Sequence, residues 1–189
     1  MKRSKWRARF RRSAENHEVA SWLTEPGSLT ARCQAASKQF RVSLLHYGFE
    51  QPLADEGIRF HRQRGRAWVR EVMLECDGVP VIFAHTVLPA APHGRLSAWL
   101  ARLGNRSLGS LLFTHPGFGR GTIEILRLDS RHPLYRKAAA VGEVDGVLWA
   151  RRSLHRLGRQ AVLVTEVFLP AIARLENRRP SAPATIAKG

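Results

Sequence analysis

The chain has 189 residues and a mass of 21.3 kDa, which is enough for one domain with a hydrophobic core and short for two. Hydrophobic residues make up 44%, charged residues 24%, and the formal net charge is +16, a composition that excludes a chain disordered throughout. Because it has no apolar run near ~20 residues, no apolar stretch after its basic start and only two cysteines, we expect a cytoplasmic protein without a membrane span and with reduced thiols.

The excess charge is concentrated at the two ends. Residues 1–12 hold seven Lys or Arg and no acid, and residues 174–189 hold four against one Glu, which leaves +6 for residues 13–173. We therefore predict a basic N-terminal arm at 1–12, a domain at 13–173 and a disordered tail at 174–189. The arm is expected either to stay solvated or to make a weak contact with a polyanion, without sequence preference.

The first third of the chain predicts two helices and a strand. Ser13 is placed to cap a helix through residue 23, which the Glu25-Pro26-Gly27 breaker ends, and Ser28 is placed to cap a second helix that begins at Leu29. Residues 40–49 are rich in aliphatic and aromatic side chains and predict a strand. A polar loop follows, to about residue 66.

The clearest signal is a hairpin in which residues 68–76 and 79–88 flank Asp77-Gly78, a dipeptide typical of tight turns. Leu residues and Trp99 repeat at helical spacing over 95–103, Gly104 can end that helix, and Ser107 can open another that carries Leu108, Leu111 and Leu112.

The last third predicts three strands. These are residues 122–128 and, after a polar insertion at 129–146, residues 147–157 and 161–169, joined at Gly158. Consecutive hairpins with inserted helices predict an α+β domain, an antiparallel sheet of about six strands with the helices packed on one face. Strict strand–helix alternation is absent, which disfavours a doubly wound nucleotide fold.

Two charged residues fall where the pattern predicts burial. Arg70 shares strand parity with Trp68, Val72 and Leu74, and an inward guanidinium requires an anionic partner. Glu166 lies in a strand that is apolar on both faces, so it is paired, protonated or functional. Arg70 and Glu166 either form a structural ion pair with each other or hold a ligand between them, and the sequence leaves both open.

Other signals are weaker. Leu29 and Leu108 each follow a candidate capping serine, so their backbone amides lie in a first helical turn that attracts anions, although their side chains suit a plain core role. The eight histidines lack the spacing of metal ligands, so no metal site is predicted. The glycine-rich segment 117–121 lacks the pattern of a phosphate loop and predicts a flexible turn or lid.

An ordered set of short motifs resembles the chorismate pyruvate-lyases of bacterial ubiquinone synthesis. The resemblance spans about residues 20–172, and its motifs are Trp68-Val69-Arg70-Glu71, Thr86-Val87-Leu88-Pro89, Ser107-Leu108-Gly109, Ile123-Glu124-Ile125, Arg151-Arg152-Ser153 and Thr165-Glu166-Val167-Phe168-Leu169-Pro170. No single motif is specific, whereas their order and spacing are.

The resemblance implies an enclosed ligand site and conversion of chorismate to 4-hydroxybenzoate and pyruvate by a monomer that needs no cofactor. It implies that Arg70 binds a carboxylate, that Glu166 is the active-site glutamate, and that Leu29 and Leu108 contact the substrate. His85 stands where relatives commonly carry Arg, so ligand affinity is expected to be weaker or to depend on pH. The alternative is a non-catalytic sensor of small carboxylic acids, because a related sheet serves that purpose in bacterial regulators.

Overall fold

The chain folds around one antiparallel sheet. In the computed structural model, which describes residues 5–59, 65–89, 95–109, 112, 117–158 and 160–176, the strand order is β1-β2-β3-β7-β6-β4, and β5 also pairs with β6. The strands are β1 (Phe40–Glu50), β2 (Ala67–Cys76), β3 (Val79–Pro89), β4 (Phe118–Arg120), β5 (Glu124–Leu128), β6 (Leu148–Leu157) and β7 (Gln160–Phe168). The predicted α+β class is confirmed, with seven strands because the glycine-rich segment contributes β4.

Two tight turns fix the register of the central strands. Asp77 and Gly78 both have positive φ, 52° and 79°, and join β2 to β3 so that Cys76 pairs with Val79. Gly158, at φ 56°, joins β6 to β7. β7 then pairs with β3, which places it between two neighbours and explains why its sequence is apolar on both faces.

At one edge of the sheet, β1 carries an irregularity. Its register against β2 shifts between Leu44 and His46, as in a β-bulge. The side-chain oxygen of Asn105 accepts a hydrogen bond of 3.1 Å from the backbone amide of Leu44. Leu44 and Leu45 are each 40% exposed, so this edge has an apolar surface beside the bulge.

The helices differ from prediction mainly in number. They are α1 (Ala20–Leu23), α2 (Leu29–Ala36), α3 (Ala54–Arg59), α4 (Arg95–Arg102), α5 (Pro133–Ala139) and α6 (Ile172–Glu176). Ser28 caps α2 as predicted, whereas α1 is shorter than predicted because residues 14–19 form turns. α3 and α5 were predicted as loop. Leu108, Gly109 and Leu112 are helical, and Leu111 lies outside the described residues.

Helices cover both faces of the sheet. Trp22, Leu29 and Ile172, from α1, α2 and α6, form one core cluster with Ile82 and Phe168. On the other face, α5 packs Leu134 and Ala138 into a cluster that contains Phe83 and Val167, the sheet residues of opposite parity. The prediction that all helices lie on one face is wrong for α3 and α5. Glu56 of α3 contacts His85 on this second face, and β3 and β7 are apolar on both faces and need cover on both.

The described part of the basic arm lies against the domain. Arg7 and Ile125 exchange backbone hydrogen bonds of 3.0 and 2.8 Å, and Trp6 and Phe10 pack on the two main core clusters. The arm therefore combines exposed cations with two anchoring aromatic side chains. Of the predicted tail, the structure describes only residues 174–176, at the end of α6. None of the described helices has the length and apolar character to span a bilayer.

Candidate functional site

Arg70 is buried on the face that strand alternation predicted, with 2% of its surface exposed. Its Nη2 donates to the carbonyl oxygens of Gly104 and Arg106, both at 2.8 Å. Its Nε is buried without a hydrogen-bond partner in the described part of the chain. Burial lowers the pKa of Arg70 to about 10, so it is still a cation at neutral pH. A buried cation with an unused donor is a suitable anion-binding group.

Glu166 lies on the same face and pairs with a different arginine. Its Oε2 accepts a 2.7 Å hydrogen bond from Nε of Arg151, whose side chain is 1% exposed. Arg151 also donates to the carbonyl oxygens of Glu25, at 2.6 Å, and Trp22, at 3.3 Å. The sequence allowed an ion pair between Arg70 and Glu166, but the structure gives these residues separate partners.

Arg70 and Glu166 approach one cavity from either side of β3. Arg70 pairs with Thr86 and Glu166 with Ala84, so their backbones are two strand spacings apart, about 10 Å, and offset by about 7 Å along the strands. A cavity of about 40 Å³ lies between them, and both residues line it. A ligand placed there would contact a cation on one side and a carboxylate on the other.

Two helix starts meet at the same cavity. Leu29 begins α2, Leu108 is the first helical residue after Ser107, and both line the cavity. The hydroxyls of Thr30 and Ser107 lie 2.6 Å apart. Gly109 permits this approach, because a Cβ there would lie 2.9 Å from Oγ1 of Thr30. All four predicted site residues are thus brought together, with backbone amides of two first turns nearby.

Comparison with known proteins identifies the family of this chain. The chorismate lyase family matches residues 1–177. The chain belongs to the chorismate lyase family. A probable chorismate pyruvate-lyase of Dechloromonas aromatica is 66% identical over 176 residues, covering 93% of this chain and all of that protein. One of Methylobacillus flagellatus is 42% identical and covers 92% and 97% of the two chains.

Solved structures agree on the fold of this chorismate lyase family member. The effector domain of PhnF from Mycobacterium smegmatis superimposes with a TM-score of 0.52 at 17% identity, covering 76% of this chain and 89% of that domain. A GntR-family transcriptional regulator from Bacillus cereus gives a TM-score of 0.51 at 14% identity, covering 70% and 93%. At such identities the likeness concerns the sheet architecture alone.

Among the described lining residues with ionisable side chains, sequence reasoning missed three, Arg120, Arg151 and His155. Arg151 could have been found, because it shares strand parity with Trp149 and Ser153 in β6. Arg120 gave no signal, since its segment was interpreted as a turn. It donates to Oγ of Ser153, at 3.1 Å, and to the carbonyl oxygen of Pro26, at 2.7 Å.

The cavity histidine is neutral. Burial, together with Arg120 and Arg151, lowers the pKa of His155 to about 4. Its Nε2 lies 3.1 Å from Oγ of Ser153. His155 therefore adds hydrogen-bonding capacity to the cavity at neutral pH and no charge.

His85, expected to influence ligand binding, lies on the opposite face of the sheet and is not among the described residues that line the cavity. Its Nδ1 is 2.8 Å from Oε1 of Glu71, and its Nε2 is 3.2 Å from Oε1 of Glu56. Lys137 donates to Glu71 at 2.6 Å. Burial opposes the charge on His85, but the two carboxylates outweigh it and raise its pKa to about 9. Within the described ranges, no group of three potential ligands could hold a metal ion.

Proposed function

We propose that this protein is a chorismate pyruvate-lyase that converts chorismate to 4-hydroxybenzoate and pyruvate. The observation that carries the proposal is the position of Arg70 and Glu166 on either side of one cavity. The membership of the chorismate lyase family gives the reaction class, and the cavity supplies groups that suit a carboxylated ring with a hydroxyl group.

Arg70 is proposed to bind the ring carboxylate, because its buried Nε has a donor to offer and its charge strengthens the bond. Glu166, held by Arg151, is proposed to accept a hydrogen bond from the ring hydroxyl. Amides in the first turns at Leu29 and Leu108 are proposed to bind the remaining oxygens. The present cavity of about 40 Å³ is smaller than the ~300–1,000 Å³ of ordinary ligand pockets, so we expect its walls to move apart on binding.

The chemistry requires no covalent intermediate on the protein. The ether C–O bond to the enolpyruvyl group breaks, the neighbouring carbinol carbon loses its hydrogen, and the ring becomes aromatic. The enolpyruvyl fragment gains one hydrogen and leaves as pyruvate, so atoms balance without a co-reactant. Aromatisation drives the reaction, and the protein contributes orientation and charge stabilisation.

The route of that hydrogen can be measured with a deuterium label on the carbinol carbon. Label recovered in the pyruvate methyl group would indicate transfer within the substrate. Label lost to solvent would indicate removal by a base, for which Glu166 is the candidate.

The central test is incubation of the purified protein with chorismate and detection of 4-hydroxybenzoate by chromatography. We expect Arg70→Ala chiefly to weaken substrate binding and Glu166→Ala chiefly to slow turnover. Variants that both match the parent rate would exclude this site. Tight binding of chorismate without product formation would instead support the sensor alternative.

We further propose a monomer in the cytoplasm whose product enters ubiquinone synthesis. Two buried free thiols, Cys33 and Cys76, support a reducing compartment. Expression in a bacterial strain that lacks its own chorismate lyase should restore ubiquinone, as added 4-hydroxybenzoate does. Failure with a well-expressed protein would refute the pathway, and light scattering and cell fractionation test the other two points.

We propose that the basic arm makes its weak contact with a polyanion at a groove between the arm and β5. The groove has a volume of about 720 Å³ and a basic rim formed by Lys5, Arg7, Arg9, Arg11 and Arg127. Because Trp6 and Phe10 anchor the arm, substitution tests this better than deletion. Arg9→Gln with Arg11→Gln should weaken salt-sensitive binding to a single-stranded oligonucleotide and leave lyase activity unchanged. Unchanged oligonucleotide binding would refute the contact.

A further inference from the structure

The cavity carries more positive charge than its own carboxylate can balance. The charged side chains among its described lining residues are Arg70, Arg120, Arg151 and Glu166, a net charge of +2 at neutral pH. Glu25, which acts on Arg120 from outside the cavity lining, already has an ion pair with Arg32 at 3.4 Å. Arg70 and Arg151 are buried and Arg120 is half-buried, and an excess of positive charge with so little exposure is costly unless an anion offsets it.

Arg70 and Arg120, the two lining cations that do not belong to the Arg151–Glu166 ion pair, reach the cavity from different strands. Arg70 is on β2 and Arg120 on β4, four strand spacings apart, or about 19 Å measured along the sheet. Their side chains converge on the cavity from these opposite sides. Because the two guanidinium groups reach one cavity from opposite sides, they suit two carboxylates on one ligand better than a single carboxylate.

We infer that Arg120 binds the second carboxylate of a dianionic substrate, opposite Arg70, and so selects substrate over product. This inference rests on the proposed function, in which Arg70 binds the ring carboxylate. The enolpyruvyl carboxylate then falls to Arg120, whose Nε and Nη1 are fixed by Ser153 and Pro26. Arg120 is therefore a substrate-binding residue, and 4-hydroxybenzoate has no second carboxylate with which to contact it.

The chemistry of the reaction supplies the discriminating measurement. Chorismate has two carboxylates, while 4-hydroxybenzoate keeps only the ring carboxylate. Loss of Arg120 should therefore affect chorismate and spare 4-hydroxybenzoate, whereas loss of Arg70 should affect both. A residue that only supports the wall of the cavity would not separate the two ligands.

The experiment compares Arg120→Gln with the parent, using steady-state kinetics on chorismate and calorimetric binding of 4-hydroxybenzoate. We expect kcat/KM for chorismate to fall about 10- to 100-fold, chiefly through KM, because a charge-assisted contact is lost. The Kd of 4-hydroxybenzoate should stay within about threefold. Arg120→Lys keeps the charge and should recover most of the loss.

A matched control is Arg156→Gln. Arg156 lies on the neighbouring strand β6, is exposed and is not a described lining residue of the cavity, so both measurements should stay at the parent values. Equal weakening of the two ligands by Arg120→Gln and Arg120→Lys, or unchanged chorismate kinetics, would overturn the inference. A parent that forms no 4-hydroxybenzoate would instead refute the proposed function, so the two failures are distinguishable.

Discussion

The two faces of the central sheet differ in the groups that contact their buried cations. On the face opposite the cavity, Arg152 binds Glu124 and Asp55, and His85 lies between two carboxylates, one of which also binds Lys137. On the cavity face, Arg70 is held by carbonyl oxygens, and lining cations outnumber the lining carboxylate three to one.

This difference separates a structural ion network from a ligand site. Where each buried cation has a carboxylate at short range, the sheet itself satisfies the charge, and the cluster fixes α3 and α5 against it. Where cations are oriented by neutral carbonyl oxygens, the positive charge remains available to a ligand. Burial of charge alone is the same on both faces and would not have distinguished them.

The sharpest test uses neighbours on β6 that point to opposite faces. Arg151→Gln should lower kcat about 100-fold, because Glu166 loses the group that orients it, with a smaller change in KM. Arg152→Gln should leave kcat within about threefold. Both should lower the free energy of unfolding, by about 2–3 kcal/mol, since each leaves partly buried carboxylates without their buried cation.

Steady-state kinetics and urea denaturation of the two variants at one pH provide the measurement. Arg151→Lys, which retains the charge, serves as the conservative variant and should recover part of kcat. If Arg152→Gln lost as much activity as Arg151→Gln, the division between the two faces would be incorrect.

The second test concerns pH on the structural face. The pKa of His85 is raised from 6.5 to about 9 in the folded protein, because the carboxylates of Glu56 and Glu71 lie next to its ring. Lys137 in turn donates a hydrogen bond to Glu71. A raised folded-state pKa contributes stability that is complete below about 6.5 and is lost as pH rises to about 9, on the order of 3 kcal/mol. Urea denaturation at pH 6, 7.5 and 9 should show this decline, and His85→Gln should flatten it. A parent with constant stability over that range would contradict the network.

A smaller effect is expected at the helix starts on the cavity face. In Gly109→Ala the new Cβ would lie 2.9 Å from Oγ1 of Thr30 and 3.3 Å from Oγ of Ser107. We expect a loss of about 1–2 kcal/mol in stability and a raised KM for chorismate, because the first turns at Leu29 and Leu108 are pushed apart. Gly119→Ala is the control, since its Cβ would meet nothing within 4 Å. Equal thermal stability and KM in the two variants would contradict the close approach.

Structural features that depend only on residues adjacent in the chain were predicted correctly from the sequence. The Asp77-Gly78 turn, the Ser28 cap and the inward parity of Arg70 need only a few adjacent residues to be recognised. The apolar strand around Glu166 predicted its inward position equally, although its side chain is 18% exposed and so only partly buried. These features position most of the candidate site.

Features that depend on distant partners escaped prediction. α5 follows His132-Pro133, a helix-start signal that the surrounding charged residues obscured, and it is fixed by packing on Phe83 and Val167. Arg120 enters the cavity only because three residues of a glycine-rich segment pair with β6. The partner of Glu166 also required tertiary structure, since the sequence suggested Arg70 and the structure shows Arg151.

The bulge in β1 bears on how the protein behaves when concentrated. An outer strand with regular pleating offers a template on which a second molecule can add its own strand, and exposed leucines such as Leu44 and Leu45 would favour such stacking. Here the backbone is bent out of register at that point, and the amide of Leu44 is already occupied by Asn105. We therefore expect the irregularity to protect this edge against strand-to-strand aggregation.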